Sequence, residues 1–130
     1  MHLTIDGYGS KQSMQDEHFI YQLLDSYPAK IRMTKIHGPI VFRYVGTKPD
    51  DWGISGLVFI AESHISLHTF VERKYINIDV FSCSDFDAEQ VVQDFVDQFQ
   101  LTRFTSRLIN REWSARDLAE ATEIPQLHSV

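Results

Sequence analysis

The chain has 130 residues, of which 43% are apolar, and a formal net charge of −6. This length fits a single packed domain spanning residues 1–130 and excludes two independent ones. The acidic balance, without any cluster of lysine and arginine, argues against nucleic acid or an anionic membrane as a partner and suits a cationic substrate. The one cysteine, Cys83, excludes an intrachain disulfide and a multi-cysteine zinc site.

The hydropathy pattern bears on the compartment. No apolar run approaches the roughly 18 residues that a membrane span needs. The opening residues 1–10 have neither the basic segment nor the long apolar stretch of a signal peptide. We therefore expect a soluble, cytoplasmic protein that does not interact with a membrane.

Apolar periodicity and turn residues divide the chain into seven predicted strands and two main helices. Strands are predicted where β-prone residues alternate, and helices where apolar residues recur at helical spacing behind an N-cap. Ser13 and Asp87 are the predicted N-caps, and Gln90 supports the second. In chain order we expect a strand at 2–6, a helix from Ser13 to Pro28, strands at 30–36 and 40–45 joined through Gly38 and Pro39, a loop at 46–51, strands at 54–61, 63–70 and 75–83, a helix from Asp87 through Phe99, and a strand at 101–110.

The proportion and order of these elements predict the fold class. Strands outnumber main helices about three to one, and hairpin-length links join the strands in the middle of the chain. We expect an α+β fold, a two-layer sandwich in which an antiparallel sheet carries two helices on one face. Residues 112–130 have only weak helical periodicity, so they predict a short helix or a loose tail.

The predicted strand at 54–61 indicates that the chain associates with a partner. Its apolar residues fall on both alternating sets, so both faces of the strand require cover. In a chain this small, a second copy of the chain is the natural cover for the face without helices. We therefore expect a homodimer with α/β/β/α layering, its two sheets face to face.

Three segments carry a resemblance to a known family. They are residues 53–56 (GISG), 61–69 (AESHISLHT) and 79–83 (DVFSC). In this order they resemble the S-adenosylmethionine decarboxylase proenzymes of bacteria and archaea, which share an E-S-H-x-(S/T)-(I/L)-H-T core. The resemblance is strongest over residues 53–83, and residues 2–9 weakly resemble the opening strand and turn of the family.

The resemblance implies that the chain cuts itself between Glu62 and Ser63. The hydroxyl of Ser63 would attack the carbonyl of Glu62 and turn the peptide bond into an ester. A β-elimination and hydrolysis would then leave a pyruvoyl group derived from Ser63. The family's processing partners fall on His68 and Ser55 in this sequence. Such a reaction requires a polarised carbonyl, a stabilised oxyanion and a proton acceptor at the serine.

The same resemblance implies a decarboxylation of S-adenosylmethionine that feeds polyamine synthesis. The pyruvoyl group would take the substrate amine as a Schiff base and act as an electron sink while carbon dioxide leaves. Cys83 stands at the position of the family's acid, which returns a proton to the α-carbon. Glu72 matches the acidic residue that contacts the ribose hydroxyls in the family.

The sequence departs from the family next to this core. The family reads H-T-W-P-E-x-G-Y where residues 68–75 read HTFVERKY, and it places an aromatic residue shortly before the Gly-x-Ser-Gly element, where Pro49 and Asp50 stand here. Trp52 is the nearest aromatic residue to take the place of that residue, through stacking or a cation–π contact. Two alternatives stay open: a pyruvoyl-dependent arginine or ornithine decarboxylase, and an unprocessed, non-catalytic relative.

Each candidate residue also has an ordinary structural interpretation. A zinc site on His64 and His68 is excluded, because four residues of strand separate them by roughly 13 Å. His68 in a half-buried sheet is otherwise a hydrogen-bonded histidine, and Cys83 a small buried hydrophobe. The remaining structural interpretations are a buried hydroxyl for Ser55, a core or interface ring for Trp52 and a solvated turn for Glu72.

Overall fold

The computed structural model describes residues 1–111 and 114–124, and its centre is one antiparallel sheet. Within these two ranges, six strands make up the sheet: β1 (His2–Tyr8), β2 (Lys35–Val45), β3 (Trp52–Ile60), β4 (Ser63–Phe70), β5 (Tyr75–Ser82) and β6 (Arg103–Ile109). Their order across the sheet is β2-β3-β4-β5-β1-β6. The helices are α1 (Lys11–Met14), α2 (Glu17–Lys30), α3 (Ala88–Phe99) and α4 (Ala115–Glu120), with a 3₁₀ turn at Val71–Arg73.

The predicted start and end of the first helix are wrong. Ser13 lies inside the short helix α1, and Asp16 caps α2 by accepting a hydrogen bond from the backbone N–H of Phe19 at 3.0 Å. The helix also continues through Pro28 to Lys30. Pro28 is tolerated in the last turn, where its ring is buried and its missing N–H removes only one hydrogen bond.

The two strands predicted at 30–36 and 40–45 are one strand, β2. Residues 30–33 instead close α2 and form the turn that follows it. The pairing of β2 with β3 shifts register on either side of His37, and this irregularity accommodates Gly38 and Pro39. Because β2 is an edge strand, a proline without a backbone donor costs little there.

Helices α1, α2 and α3 pack on one face of the sheet, which confirms the α+β fold class. Alternate side chains of the central strands are buried under these helices. Asp87 caps α3 as predicted, accepting from the N–H of Gln90 at 3.1 Å. The buried contacts from the helices include Met14 of α1, Ile20, Leu24 and Tyr27 of α2, and Val91, Phe95 and Phe99 of α3.

The other side of the sheet, which we call the open face, carries the alternate set of side chains. Its middle row runs from Ser55 through His68, Asn77 and Asp6, residues that are cross-strand partners on four adjacent strands. Large apolar side chains flank this row and stay exposed in the described part of the chain, at 56% for Phe42, 53% for Tyr44 and 37% for Phe59.

The segment behind β6 is described in part. Ser114 and Asp117 form a capping box at the start of α4, which has no buried residue. Residues 112, 113 and 125–130 lie outside the described residues, so the prediction for the tail is described only over 114–124. No helix in the described ranges is long and apolar enough to cross a membrane.

Candidate active site

The predicted cut lies at the tip of the hairpin between β3 and β4. Ala61 and Glu62 form its two-residue turn, and Ile60 pairs with Ser63 across it. The carbonyl oxygen of Glu62 accepts a hydrogen bond from the backbone N–H of Cys83 at 2.9 Å. A backbone donor on this oxygen polarises the carbonyl and is already in position for a negative charge that develops there.

The side chain of Glu62 fixes the turn from the other direction. Its carboxylate accepts a hydrogen bond from the backbone N–H of Thr34 at 3.1 Å, and the N–H of Ala61 donates to the carbonyl of Thr34 at 2.8 Å. Both contacts connect the hairpin tip to the segment before β2. The peptide bond between Glu62 and Ser63 is therefore held in a defined position.

Ser63 has a backbone conformation that is rare for a residue with a side chain. Its φ is 156°, a positive value that favours glycine and that costs free energy for other residues. Adjacent side chains of a regular strand point to opposite faces. The departure at Ser63 is what allows its Oγ to lie 3.3 Å from Nδ1 of His64.

Cys83 follows β5 and its side chain is exposed. The loop that carries it is fixed by Ser82, whose buried hydroxyl donates to the carbonyl of Ser84 at 2.7 Å and accepts from its N–H at 2.9 Å. The N–H of Ser82 also donates to the carbonyl of Met1 at 2.9 Å. A cavity of about 370 Å³ opens beside Cys83, lined by Met1, Phe81, Ser82, Cys83, Asp85, Asn110 and Arg111.

Ser55 and His68 form a second cluster, farther along the open face. They are cross-strand partners on β3 and β4, and Oγ of Ser55 lies 2.9 Å from Nδ1 of His68. The polar contacts continue across the sheet, since the side-chain amide of Asn77 donates to Asp6 at 2.5 Å and to the hydroxyl of Tyr75 at 3.1 Å. His68 is thus held by a hydroxyl and not by a second metal-ligating group.

The two glycines of the Gly-x-Ser-Gly element make close approaches possible around Ser55. A Cβ on Gly53 would lie 1.7 Å from the carbonyl oxygen of Thr69, and one on Gly56 would lie 2.6 Å from a methyl of Leu24. Gly53 therefore allows β3 to meet β4, and Gly56 allows α2 to pack onto the sheet. The two glycines position Ser55 by allowing the backbone on either side of it to approach β4 and α2 closely.

The chain does not bring the two clusters together. Ser63 and His68 lie five residues apart on β4, a separation of roughly 16 Å at about 3.3 Å per residue. We call Glu62, Ser63, His64 and Cys83 the cleavage end, and Ser55 with His68 the distal pair. Among the described residues, no group of three or more histidine, cysteine or acidic side chains could hold a metal ion.

Trp52 and Glu72 contact each other, but on the helix side of the sheet. Glu72 accepts hydrogen bonds from the indole N–H of Trp52 at 3.1 Å and from Lys11 at 2.9 Å, and these donors, Lys11 foremost, hold the pKa of its carboxyl below the usual range. The guanidinium of Arg43 lies 4.2 Å from the Trp52 ring, which packs against the core. Trp52 and Ser55 have opposite strand parity, so they belong to different faces. Substrate binding by Trp52 and Glu72 stays a prediction.

Three residues that form or support the cleavage end were not predicted from the sequence. Thr34 acts through its backbone N–H and Ser82 through a buried hydroxyl, so neither leaves a recognisable pattern. In the sequence, His64 enters only as a partner for zinc. Its position directly after Ser63 was the one signal that pointed to it, and a regular strand would have turned it away from that serine.

The first comparison identifies a class of protein through its fold. The crystal structure of the adenosylmethionine decarboxylase from Aquifex aeolicus superimposes with a TM-score of 0.65 and is 26% identical in sequence. The match covers 87% of this chain and 94% of that one. The chain therefore shares nearly the whole architecture of a known decarboxylase.

The sequence comparisons give the family. A family model described as S-adenosylmethionine decarboxylase matches residues 1–112. The S-adenosylmethionine decarboxylase proenzyme of Archaeoglobus fulgidus is 27% identical over 112 residues, which cover 85% of this chain and 95% of that protein. The proenzyme of Parasynechococcus marenigrum is 32% identical over 114 residues, covering 78% and 89%. This chain belongs to the S-adenosylmethionine decarboxylase family, which confirms the resemblance found from the motifs.

Proposed function

We propose that the chain is a proenzyme that cuts itself between Glu62 and Ser63 and then acts as a carboxy-lyase on S-adenosylmethionine, for polyamine synthesis. The observation that carries the proposal is the geometry around this peptide bond. Its carbonyl oxygen accepts the N–H of Cys83 at 2.9 Å, and the next residue, Ser63, has a φ of 156°. The curated relatives carry the word proenzyme in their names, which supports a cut.

The geometry suits each part of the first step. The Oγ of Ser63 attacks the carbonyl carbon of Glu62, and the negative charge that develops on the oxygen is stabilised by the N–H of Cys83. The peptide C–N bond then breaks and leaves an ester. Because the strained serine is no longer held between two peptide bonds, part of the cost of its backbone conformation is released.

The residues present fit a pyruvoyl cofactor, since the chain supplies it from its own Ser63 at the start of β4. That group supplies an electron sink for the decarboxylation. Cys83 meets the requirement for the acid: its thiol is exposed, and its backbone is hydrogen-bonded to the residue before Ser63. It would deliver a proton to the α-carbon of the substrate.

We further propose that the active form is a homodimer with its open faces in contact. Exposed apolar side chains surround the polar middle row of this face, as expected for a surface that a partner covers. In an isologous contact, residue i of one copy meets residue j of the other, and j meets i. The distal pair of one copy would then lie beside the cleavage end of the other. The two clusters would meet across the interface, although roughly 16 Å of strand separates them within one chain.

Intact-mass spectrometry of wild type beside Ser63→Ala tests the proposal. The expected products of wild type are residues 1–62 and a fragment that begins with the converted Ser63, while Ser63→Ala stays whole. Wild type that remains whole under native conditions would contradict the proposal and favour the non-catalytic alternative.

The substrate is tested on the processed protein. Release of carbon dioxide is measured with S-adenosylmethionine, arginine and ornithine in parallel, and we expect it only with the first. Release from arginine or ornithine alone would overturn the substrate while leaving the self-cleavage intact.

A further inference from the structure

We propose that His64 is the base that removes the hydroxyl proton of Ser63 in the first step of self-cleavage. This inference rests on the proposed function, because it assigns a catalytic residue to the proposed cut. It concerns a histidine that the resemblance leaves without a role.

The position of His64 relative to the nucleophile carries the inference. Its Nδ1 lies 3.3 Å from Oγ of Ser63. Hydrogen bonds between a nucleophile and its base are often this long before the reaction and shorten in the transition state. A regular strand would turn the two side chains to opposite faces, so the positive φ of Ser63 favours the approach of its hydroxyl to the imidazole.

The ring of His64 is held in place. His64 is half-buried, and its ring meets Phe81 edge-on, with centroids 5.6 Å apart and an interplanar angle of 72°. Phe59 and Phe81 are its cross-strand partners on the two neighbouring strands. The contact with Phe81 on one side and the hydrogen-bond contact with Ser63 on the other hold the imidazole near the nucleophile.

His68 is less suited to this particular step. Its Nδ1 is already engaged with Oγ of Ser55 at 2.9 Å, and it lies roughly 16 Å from Ser63 in the same chain. His64, in contrast, contacts the nucleophile before any second copy is bound. The acyl shift can therefore begin within a single chain.

The step balances without any added reactant. The proton leaves Oγ of Ser63 for Nδ1 of His64 while a bond forms between Oγ and the carbonyl carbon of Glu62. The C–N bond of the tetrahedral intermediate then breaks, and the proton passes from His64 to the departing nitrogen of Ser63. The products are an ester, a free amine and the original neutral imidazole.

The test traps the ester. Hydroxylamine cleaves an ester in the chain but not the peptide, so the rate of trapping at Glu62 reports the acyl shift alone. The variant is His64→Asn, which keeps a polar group near the position of Nδ1 but cannot take up a proton. The matched control is His2→Asn, because His2 contacts the same Phe81 ring at 5.4 Å without bonding to Ser63.

We expect His64→Asn to form the ester about 100-fold to 10,000-fold more slowly than wild type, the range for loss of a general base, with His2→Asn close to wild type. Added imidazole should restore ester formation in His64→Ala, which a purely structural role would not allow. Thermal unfolding of all three variants verifies that they fold.

Two results would overturn the assignment. Wild-type rates of ester trapping in a folded His64→Asn chain would refute the role of His64 while leaving the proposed cut intact. Wild type that neither cuts nor forms a trappable ester would refute both proposals together.

Discussion

The cleavage end and the distal pair are built by different means. At the cleavage end, backbone groups position the bond to be cut: the N–H of Cys83, the N–H of Thr34 and the backbone conformation of Ser63. The distal pair is a contact between two side chains, Ser55 and His68. Backbone groups survive most substitutions, so the positioning of this bond should tolerate side-chain changes, whereas the contact of the distal pair depends on both of its side chains.

Beyond His64, the largest expected effect distinguishes the backbone of Cys83 from its side chain. Cys83→Pro removes the N–H on the Glu62 carbonyl and should slow self-cleavage by about 100-fold to 1,000-fold, the usual cost of losing one oxyanion donor. Cys83→Ser keeps that N–H and should cut nearly as fast as wild type, but lose decarboxylation with the thiol. Fragment masses over time and release of carbon dioxide measure the two activities.

Two results would contradict these separate roles for the backbone and the thiol of Cys83. If a folded Cys83→Pro chain cut at the wild-type rate, the backbone donor would be irrelevant. If Cys83→Ser stopped the cut, the thiol would act earlier than proposed.

A smaller effect concerns the support of the distal pair by Thr69. The hydroxyl of this buried residue accepts from the N–H of Ile54 at 2.9 Å and donates to the carbonyl of Met14 at 2.8 Å. Thr69→Val keeps the shape but leaves both groups unpaired, so we expect a loss of about 2–3 kcal/mol in the free energy of unfolding. Thr47→Val, at an exposed site in the loop between β2 and β3, should change it by less than about 0.5 kcal/mol.

Urea unfolding followed by circular dichroism measures both variants. Equal midpoints for Thr69→Val and Thr47→Val would show that the buried hydroxyl does not hold β3 and β4 to α1. The distal pair would then depend on its own contact alone.

The smallest expected effect is electrostatic and lies at Glu72. Lys11, and to a smaller extent Trp52, hold the pKa of this carboxyl below its usual range. A depressed folded-state pKa adds stability above the unfolded pKa, and that stability is lost as the pH falls. Lys11→Met should therefore raise the pKa of Glu72 and weaken this acid-sensitive contribution, with Trp52→Phe giving a smaller rise. Side-chain NMR titration measures both, and an unchanged pKa in Lys11→Met would refute the contact.

Much of the fold could be predicted from local patterns in the sequence. Strand β4 matches its prediction at residues 63–70, because polar and apolar residues alternate from His64 to His68. The start of α2 could not be predicted, since Ser13 and Asp16 are both good N-caps and only packing selects between them. Strand β2 was divided in two because Pro39 is compatible with a strand only at an edge, and edge position is a tertiary property.

The site was predictable in its residues but not in its arrangement. The motif pointed to Glu62, Ser63 and His68, yet a linear pattern does not state which residues meet. The strand spacing that excluded a zinc pair at His64 and His68 also separates His68 from Ser63. The motif does not show this separation, because it gives the order of the residues and not the distances between them. The donor from Cys83 to the Glu62 carbonyl has no sequence signal at all, since every residue except proline has a backbone N–H.

The central claim is that one active site combines the cleavage end of one copy with the distal pair of another. Co-expression of Ser63→Ala with His68→Asn tests it most directly, because neither chain should cut alone. In a mixed dimer, the intact Ser63 of the His68→Asn chain meets the intact His68 of its partner. We predict that about half of the His68→Asn chains are then cut, as random pairing of two-fold symmetric copies requires. Complete absence of fragments in the mixture, with mixed dimers demonstrated by mass, would contradict the account.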